Sequence, residues 1–171
     1  MEVRGFKCFK PGLINHYGTK FEVGKIYIMP GAIKFGINGN GFHLCKNIED
    51  TFKYYDAMNK DVEICEVIGS GKIAEYEDDY CGYYGMYAVS QLQILRKLSR
   101  EEIINIGLNL NVVRARRFVE LFRLTEEEIN KFIEKFKNRE FIEIENVIDY
   151  YQRGNLDAFT KRMWKNGSNS N

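Results

Sequence analysis

Apolar and polar residues alternate at the start of the chain. Gly5-Phe6-Lys7-Cys8-Phe9 has the two-residue period of a strand, and Lys10-Pro11-Gly12 stops it. Phe21 to Met29 predicts a second strand with a kink at Gly24, closed by Pro30-Gly31, and Ala32 to Phe35 is expected to pair back as a hairpin. Gly36-Ile37-Asn38-Gly39-Asn40-Gly41 reads as a loop, because three glycines in six residues disfavour a regular element. Phe42-His43-Leu44-Cys45 then forms a short strand, with Phe42 and Leu44 on one face and His43 and Cys45 on the other. Asn47 is placed to cap a helix from Ile48 to Ala57, whose Ile48, Phe52 and Tyr55 follow i, i+4, i+7 spacing. Val62 to Ile68 is a strand, Tyr76 to Gly85 an acidic, tyrosine-rich exposed loop, and Tyr87 to Leu98 a strand with Val89, Leu92, Ile94 and Leu98 as core candidates.

Beyond residue 98 the period changes to that of helices. Ser99-Arg100-Glu101-Glu102 is a capping box that opens a helix to Gly107. Asn111 caps a second from Val112 to Phe122. Thr125-Glu126-Glu127-Glu128 opens a third, with Leu124 and Ile129 spaced as a hydrophobic staple. Ile142 to Tyr151 gives a fourth, ended by Gly154, and Asn155 caps a last one through Trp164. Twelve of the 15 glycines and both prolines lie in residues 1–98. That contrast predicts an α+β fold: short, largely antiparallel strands with one packed helix in residues 1–98, a helical subdomain over 99–165, and a frayed tail over 166–171.

Charge does not separate the halves. The first carries 12 basic and 12 acidic residues and the second 13 and 12, for a net charge of +1. So near-neutral a chain of 171 residues gives no general clamp for nucleic acid, and only a local patch could serve. No apolar run reaches a membrane span, and the Met1-Glu2-Val3-Arg4-Gly5 start lacks a signal core, so no membrane association is expected. The four cysteines, Cys8, Cys45, Cys65 and Cys81, form no C-x-x-C pair. They read as reduced thiols in a cytoplasmic protein, with no zinc site.

The glycine loop at 36–41 enters a strand rather than a helix and lacks a Lys-Ser/Thr ending, so it is neither a dinucleotide loop nor a P-loop. The acidic run Glu75, Glu77, Asp78 and Asp79 lacks calcium-loop spacing, and no metal is expected. No neighbouring carboxylate or nucleophile completes a catalytic pair with His43 by spacing, and His43 reads either as a pocket histidine or as a bonded core histidine. His16 reads as a surface loop residue. Two recognition surfaces are suggested. Tyr80, Tyr83 and Tyr84 crowd the loop, and tyrosine offers contact area with a polar tip. Arg114, Arg116, Arg117 and Arg123 cluster on the second C-terminal helix, where Arg116 and Arg123, seven apart, share a face. Such residue types bind proteins and, at local patches, nucleic acid; the alternative reading is a solvated, salt-bridged face.

The segments Phe21-Glu22-Val23-Gly24-Lys25-Ile26-Tyr27 and Gly41-Phe42-His43-Leu44-Cys45, followed by Phe52-Lys53-Tyr54-Tyr55 and Leu92-Gln93-Ile94-Leu95, resemble an uncharacterised domain family of phages and prophages over roughly residues 3–102. That resemblance implies a mobile-element origin in a bacterial host. A more distant likeness, in the order of a glycine-led strand, a helix bearing Tyr54-Tyr55 and a strand entering Gln91-Leu92-Gln93-Ile94, is to small ADP-ribosyltransferases. It implies NAD as cofactor, with His43, Tyr54 and Tyr55 around it. It also implies a strand carboxylate that steadies developing positive charge. Met86 and Tyr87 stand at that place, leaving only Glu75 to Asp79 to substitute by folding inward. The expectation is therefore a non-catalytic module, without cofactor, that binds a host or phage protein. The alternative is an NAD-binding, ADP-ribosyltransferase-like protein.

Overall fold

The computed structural model describes residues 1–35, 39–78, 83–137 and 141–154, with side chains for all but 77, 78, 83, 84 and 141–143. The chain divides into two compact units, Met1–Ser99 and Arg100–Asn171. The first is a five-stranded antiparallel sheet with one short helix and the second is helical, so the α+β expectation holds.

The frame of the first unit is a long hairpin. Strands β4 (Glu63–Asp78) and β5 (Tyr83–Lys97) run as one ladder from Cys65 opposite Lys97 to Asp78 opposite Tyr83. The expected exposed loop from Tyr76 to Gly85 is therefore corrected. Tyr76 pairs with Met86, and strand pairing continues to Asp78 and resumes at Tyr83. Tyrosine is a good strand former, and a ladder with one open face accepts acidic residues such as the exposed Glu75. Register shifts at Glu66/Val67, Ser70/Ile73 and Tyr76/Asp78 bend the hairpin.

That bend lets the pairing close on itself. Strand β1 (Glu2–Phe9) pairs with β4 along its whole length, from Glu2 opposite Ser70 to Phe9 opposite Glu63. Strand β3 (Phe42–Cys45) pairs with β5 from Phe42 opposite Val89 to Cys45 opposite Met86. Strands β1 and β3 meet at one position, Phe6 opposite Cys45. They cross so closely that a Cβ on Gly5 would lie 2.3 Å from the Cys45 carbonyl oxygen, which only glycine permits. Phe9, Leu13, Phe21, Leu44, Cys65, Val67, Val89, Leu92 and Ile94 fill the interior, with Val3, Tyr27 and Phe42 packed against them.

Two expected elements shrink. The strand from Phe21 to Met29 is reduced to β2 (Ile26–Ile28), paired to β5. A turn with Gly24 at φ +84° precedes it, closed by the Lys25 amide on the Glu22 carbonyl. The expected hairpin at Ala32–Phe35 is a single bridge, Lys34 to Asn40, and residues 36–38 of the glycine loop lie outside the described residues. The helix expected from Ile48 to Ala57 is the one-turn α1 (Glu49–Phe52). Asn47 does not cap it, donating instead to the Asp50 carboxylate at 3.0 Å, and the left-handed Asp56 (φ +55°) interrupts the turns that follow, which run on to Asn59. Ile48 and Phe52 are fully buried, so tertiary burial rather than helix length holds this turn.

The helical unit keeps closer to its local signals. Helix α2 (Arg100–Leu108) is followed by α3 (Val112–Leu121), whose Asn111 cap accepts from the Arg114 amide at 3.0 Å. Helix α4 (Glu126–Phe136) opens with a complete capping box between Thr125 and Glu128. Helix α5 (Phe141–Val147) passes into a π-helical turn, Ile148–Gln152, and Gly154 follows at φ +63°. Phe118, Phe122 and Phe132 make the aromatic centre, with Phe118 5.4 Å and 5.6 Å from the other two rings. The helix expected from Asn155 to Trp164 and the tail lie outside the described residues. Among the described residues no helix is long and apolar enough to cross a membrane.

Candidate functional site

Helix α3 buries Ala115, Phe118 and Val119 and turns Arg116 to solvent. Its four arginines do not make one patch. Arg114 and Arg117 are half-buried. Arg123 leaves the helix altogether, because α3 ends at Leu121 and Phe122 is extended (φ −121°, ψ 126°). The face expected for Arg116 and Arg123 from seven-residue spacing therefore does not form; that spacing holds only while the helix continues.

Another element completes the Arg116 surface. A π-turn closes i→i+5 bonds and shifts the residues after it relative to an α-helix. Here it leaves Tyr150 and Tyr151, consecutive in sequence, 41% and 43% exposed, with their rings 4.7 Å apart and edge to face. The Tyr151 hydroxyl is hydrogen-bonded to Glu120 of α3, which holds its pKa above the ordinary range, while Arg116 alongside pulls it the other way. Gln152 fixes the turn. Its amide nitrogen donates to the Val119 and Phe122 carbonyls and its oxygen accepts from the Leu124 amide. These are groups that the end of a helix leaves without an intrahelical partner. Val113, one turn before Arg116, is 73% exposed. The sequence pattern gave no warning of Tyr150 and Tyr151, since a regular helix was expected through Tyr151.

In the first unit the chemistry-bearing side chains gather where β1 leaves β3. His43 pairs with Ala88 of β5, but on its β1 side the ladder stops at the Phe6–Cys45 pair, and there the Lys7 ammonium donates to the His43 carbonyl at 2.6 Å. Lys7 also lies 5.6 Å above the Phe9 ring. Burial lowers its pKa to about 8, against a smaller upward pull from the Cys45 and Cys8 thiols. Burial pushes Cys8 and Cys65 up to about 12, so neither is a ready nucleophile. The His43 ring stands edge-on to Phe35 at 4.8 Å, and Phe35 stacks on Tyr76 at 4.7 Å. Its Nε2 is buried and has no hydrogen-bond partner among the described residues. Burial, then the Lys7 charge, lowers its pKa. A signal for Lys7 does exist in the sequence: strand alternation sets it on the face of Val3 and Phe9, a lone cation at core-facing positions.

The three residues expected around NAD have different neighbours. Tyr54 is exposed and its hydroxyl donates to the Met86 sulfur at 3.0 Å. Tyr55 is half-buried and stacks on His16 at 4.0 Å, with burial raising its pKa to about 12. His16, exposed as expected, bonds through Nε2 to the Tyr54 carbonyl. Glu75 does not fold inward: it pairs opposite Tyr87 and is exposed. Tyr80 lies outside the described residues; Tyr83 and Tyr84 begin β5, but their side chains lie outside them as well. Among the described residues no group of three His, Cys, Asp or Glu is arranged to hold a metal.

No curated protein and no solved structure matches the chain. One family model does, over residues 3–106, which takes in all but the first two residues of the strand unit and most of α2. By that match, over more than half its length, the chain belongs to the family described as Domain of unknown function (DUF7666).

Proposed function

We propose that this protein is a non-catalytic binding module, of phage or prophage origin and acting in the cytoplasm of a bacterial host, whose contact face for a partner protein is the Arg116–Tyr150–Tyr151 surface. One observation carries the reading: the π-turn presents two adjacent tyrosines beside an exposed arginine. Tyrosine and arginine dominate binding hot spots because they bring large contact area and several hydrogen bonds at modest entropic cost. The phage origin rests on the sequence resemblance. The test is affinity capture from bacterial lysate with the wild-type chain and with a Tyr150→Ala/Tyr151→Ala double variant. Both tyrosines are surface residues, so the variant should melt within about 1 kcal/mol of wild type. It should lose the specific partner by at least tenfold. Retention of every captured protein by a folded double variant would overturn the reading.

A further inference from the structure

We propose that the Lys7 amine is a covalent site for small aldehydes, with which it condenses to a Schiff base at the β1–β3 seam. The argument rests on counting donors and acceptors. An ammonium has three N–H groups, and Lys7 is half-buried with a single hydrogen-bond acceptor among the described residues, the His43 carbonyl at 2.6 Å. No carboxylate among the described residues pairs with it. On β4, Glu63 is taken by Lys97 and the Leu13 amide, and Glu66 by Arg96. From β1, β3 and β4 its other titratable neighbours are Cys8, Cys45, His43 and Cys65; burial keeps the Cys8 and Cys65 thiols protonated and disfavours charge on His43 near pH 7. A desolvated cation so poorly paired gives up its proton readily, and the free amine is the nucleophile.

The product suits the site better than the ammonium does. The amine nitrogen attacks the carbonyl carbon and forms the C–N bond, and a proton passes from nitrogen to oxygen. The hydroxyl then takes a second proton from solvent, the C–O bond breaks, water leaves, and a protonated C=N bond remains. Nothing is oxidised or reduced, and no activating group is needed. A protonated Schiff base carries one N–H, which matches the one acceptor present. The Phe9 ring, 5.6 Å from the nitrogen, offers an apolar neighbour to a small aldehyde chain.

The native chain is treated with limiting propionaldehyde and cyanoborohydride at pH 7, and each lysine is followed by peptide mass mapping, with the exposed lysines as internal standards. Lys7 should be alkylated at least about tenfold faster than the median lysine, with a rate that levels off above pH 8. In urea-unfolded chain that advantage should vanish, a control that needs no variant. Lys7→Arg should lose the fast adduct and keep the others. A Lys7 rate at or below the median in the folded chain, or a fast adduct that survives Lys7→Arg, would overturn the proposal.

Discussion

Glu128 in the helical unit and Lys7 in the strand unit are both ionisable groups drawn out of water, and their surroundings differ. Glu128 accepts from Arg100 Nε at 2.7 Å and Nη2 at 2.8 Å, and from the Thr125 amide at 2.8 Å. Arg100 in turn reaches the Arg123 carbonyl and lies over the Phe122 ring at 5.3 Å. Among the described residues Lys7 has one carbonyl and one ring face. Burial alone would raise the Glu128 carboxyl, yet the bonds from Arg100 and Thr125 outweigh it and the pKa ends below its ordinary value. For Lys7 burial wins. The comparison separates a charge built into a structure from one that the structure tolerates. Only the second is available for chemistry.

Removing Arg100 should break the comparison with the largest effect. Arg100→Met leaves the Glu128 carboxylate half-dressed at the α4 cap, and should cost about 2 kcal/mol, less than for a deep pair because the arginine is half exposed. Because the Glu128 pKa is depressed in the fold, its contribution is present above the unfolded carboxyl value of 4.5 and fades as pH falls below it. Denaturant melts of both chains should therefore differ at pH 7 and converge toward pH 3. An equal gap at both pH values would mean that packing on Phe122, not the ion pair, carries the effect.

The contrast also marks what could be read from the chain. Thr125 and Glu128 are three residues apart, and their capping box is complete in four letters, as is the Asn111 cap. The strand unit depends on partners far away in sequence. Tyr76 is strand because Met86 lies opposite, and Lys7 is left with few partners because β1 and β3 part beyond the Phe6–Cys45 pair; neither fact is local. One surface assignment failed and one surface was missed, for a related reason. Arg116 and Arg123 were placed on one face by extending a helix that stops at Leu121, and Tyr150 and Tyr151 were hidden in a helical pattern that gives no sign of a π-turn. A period locates faces only while the element persists.

Lys7→Met should sharpen the comparison with the opposite sign. Where Arg100→Met destabilises, this change removes a costly ammonium and should stabilise the chain by about 1 kcal/mol at pH 7, after the lost bond to the His43 carbonyl is set against it. In the wild type the folded chain releases the Lys7 proton near pH 8, while the unfolded chain holds it to 10.5. Over that window the unfolded state binds more protons, so wild-type stability rises with pH and the advantage of Lys7→Met should shrink and then reverse before pH 10.5. A constant difference from pH 7 to 10.5 would place the gain in packing instead.

The smallest effect belongs to His43, which shares the seam with Lys7 and repeats its logic on a more open ring. Burial and the Lys7 charge both disfavour the imidazolium, and the folded pKa lies below the unfolded 6.5. Between the two values the unfolded chain takes up a proton that the folded chain refuses, so this group's contribution falls as pH drops below 6.5. The ring is partly open to solvent, which limits the loss to a fraction of a kcal/mol by pH 5. His43→Phe keeps a flat ring against Phe35 and removes the buried Nε2 that lacks a partner among the described residues. It should leave stability at pH 7 nearly unchanged and flatten the decline between pH 7 and pH 5. The double variant Lys7→Met/His43→Phe isolates the coupling, since the Lys7 charge is one of the two causes of the histidine shift. In a Lys7→Met background the step from His43 to Phe should therefore matter less at pH 5 than in the wild type. Equal steps in both backgrounds would show that burial alone keeps His43 neutral and that the two seam residues titrate independently.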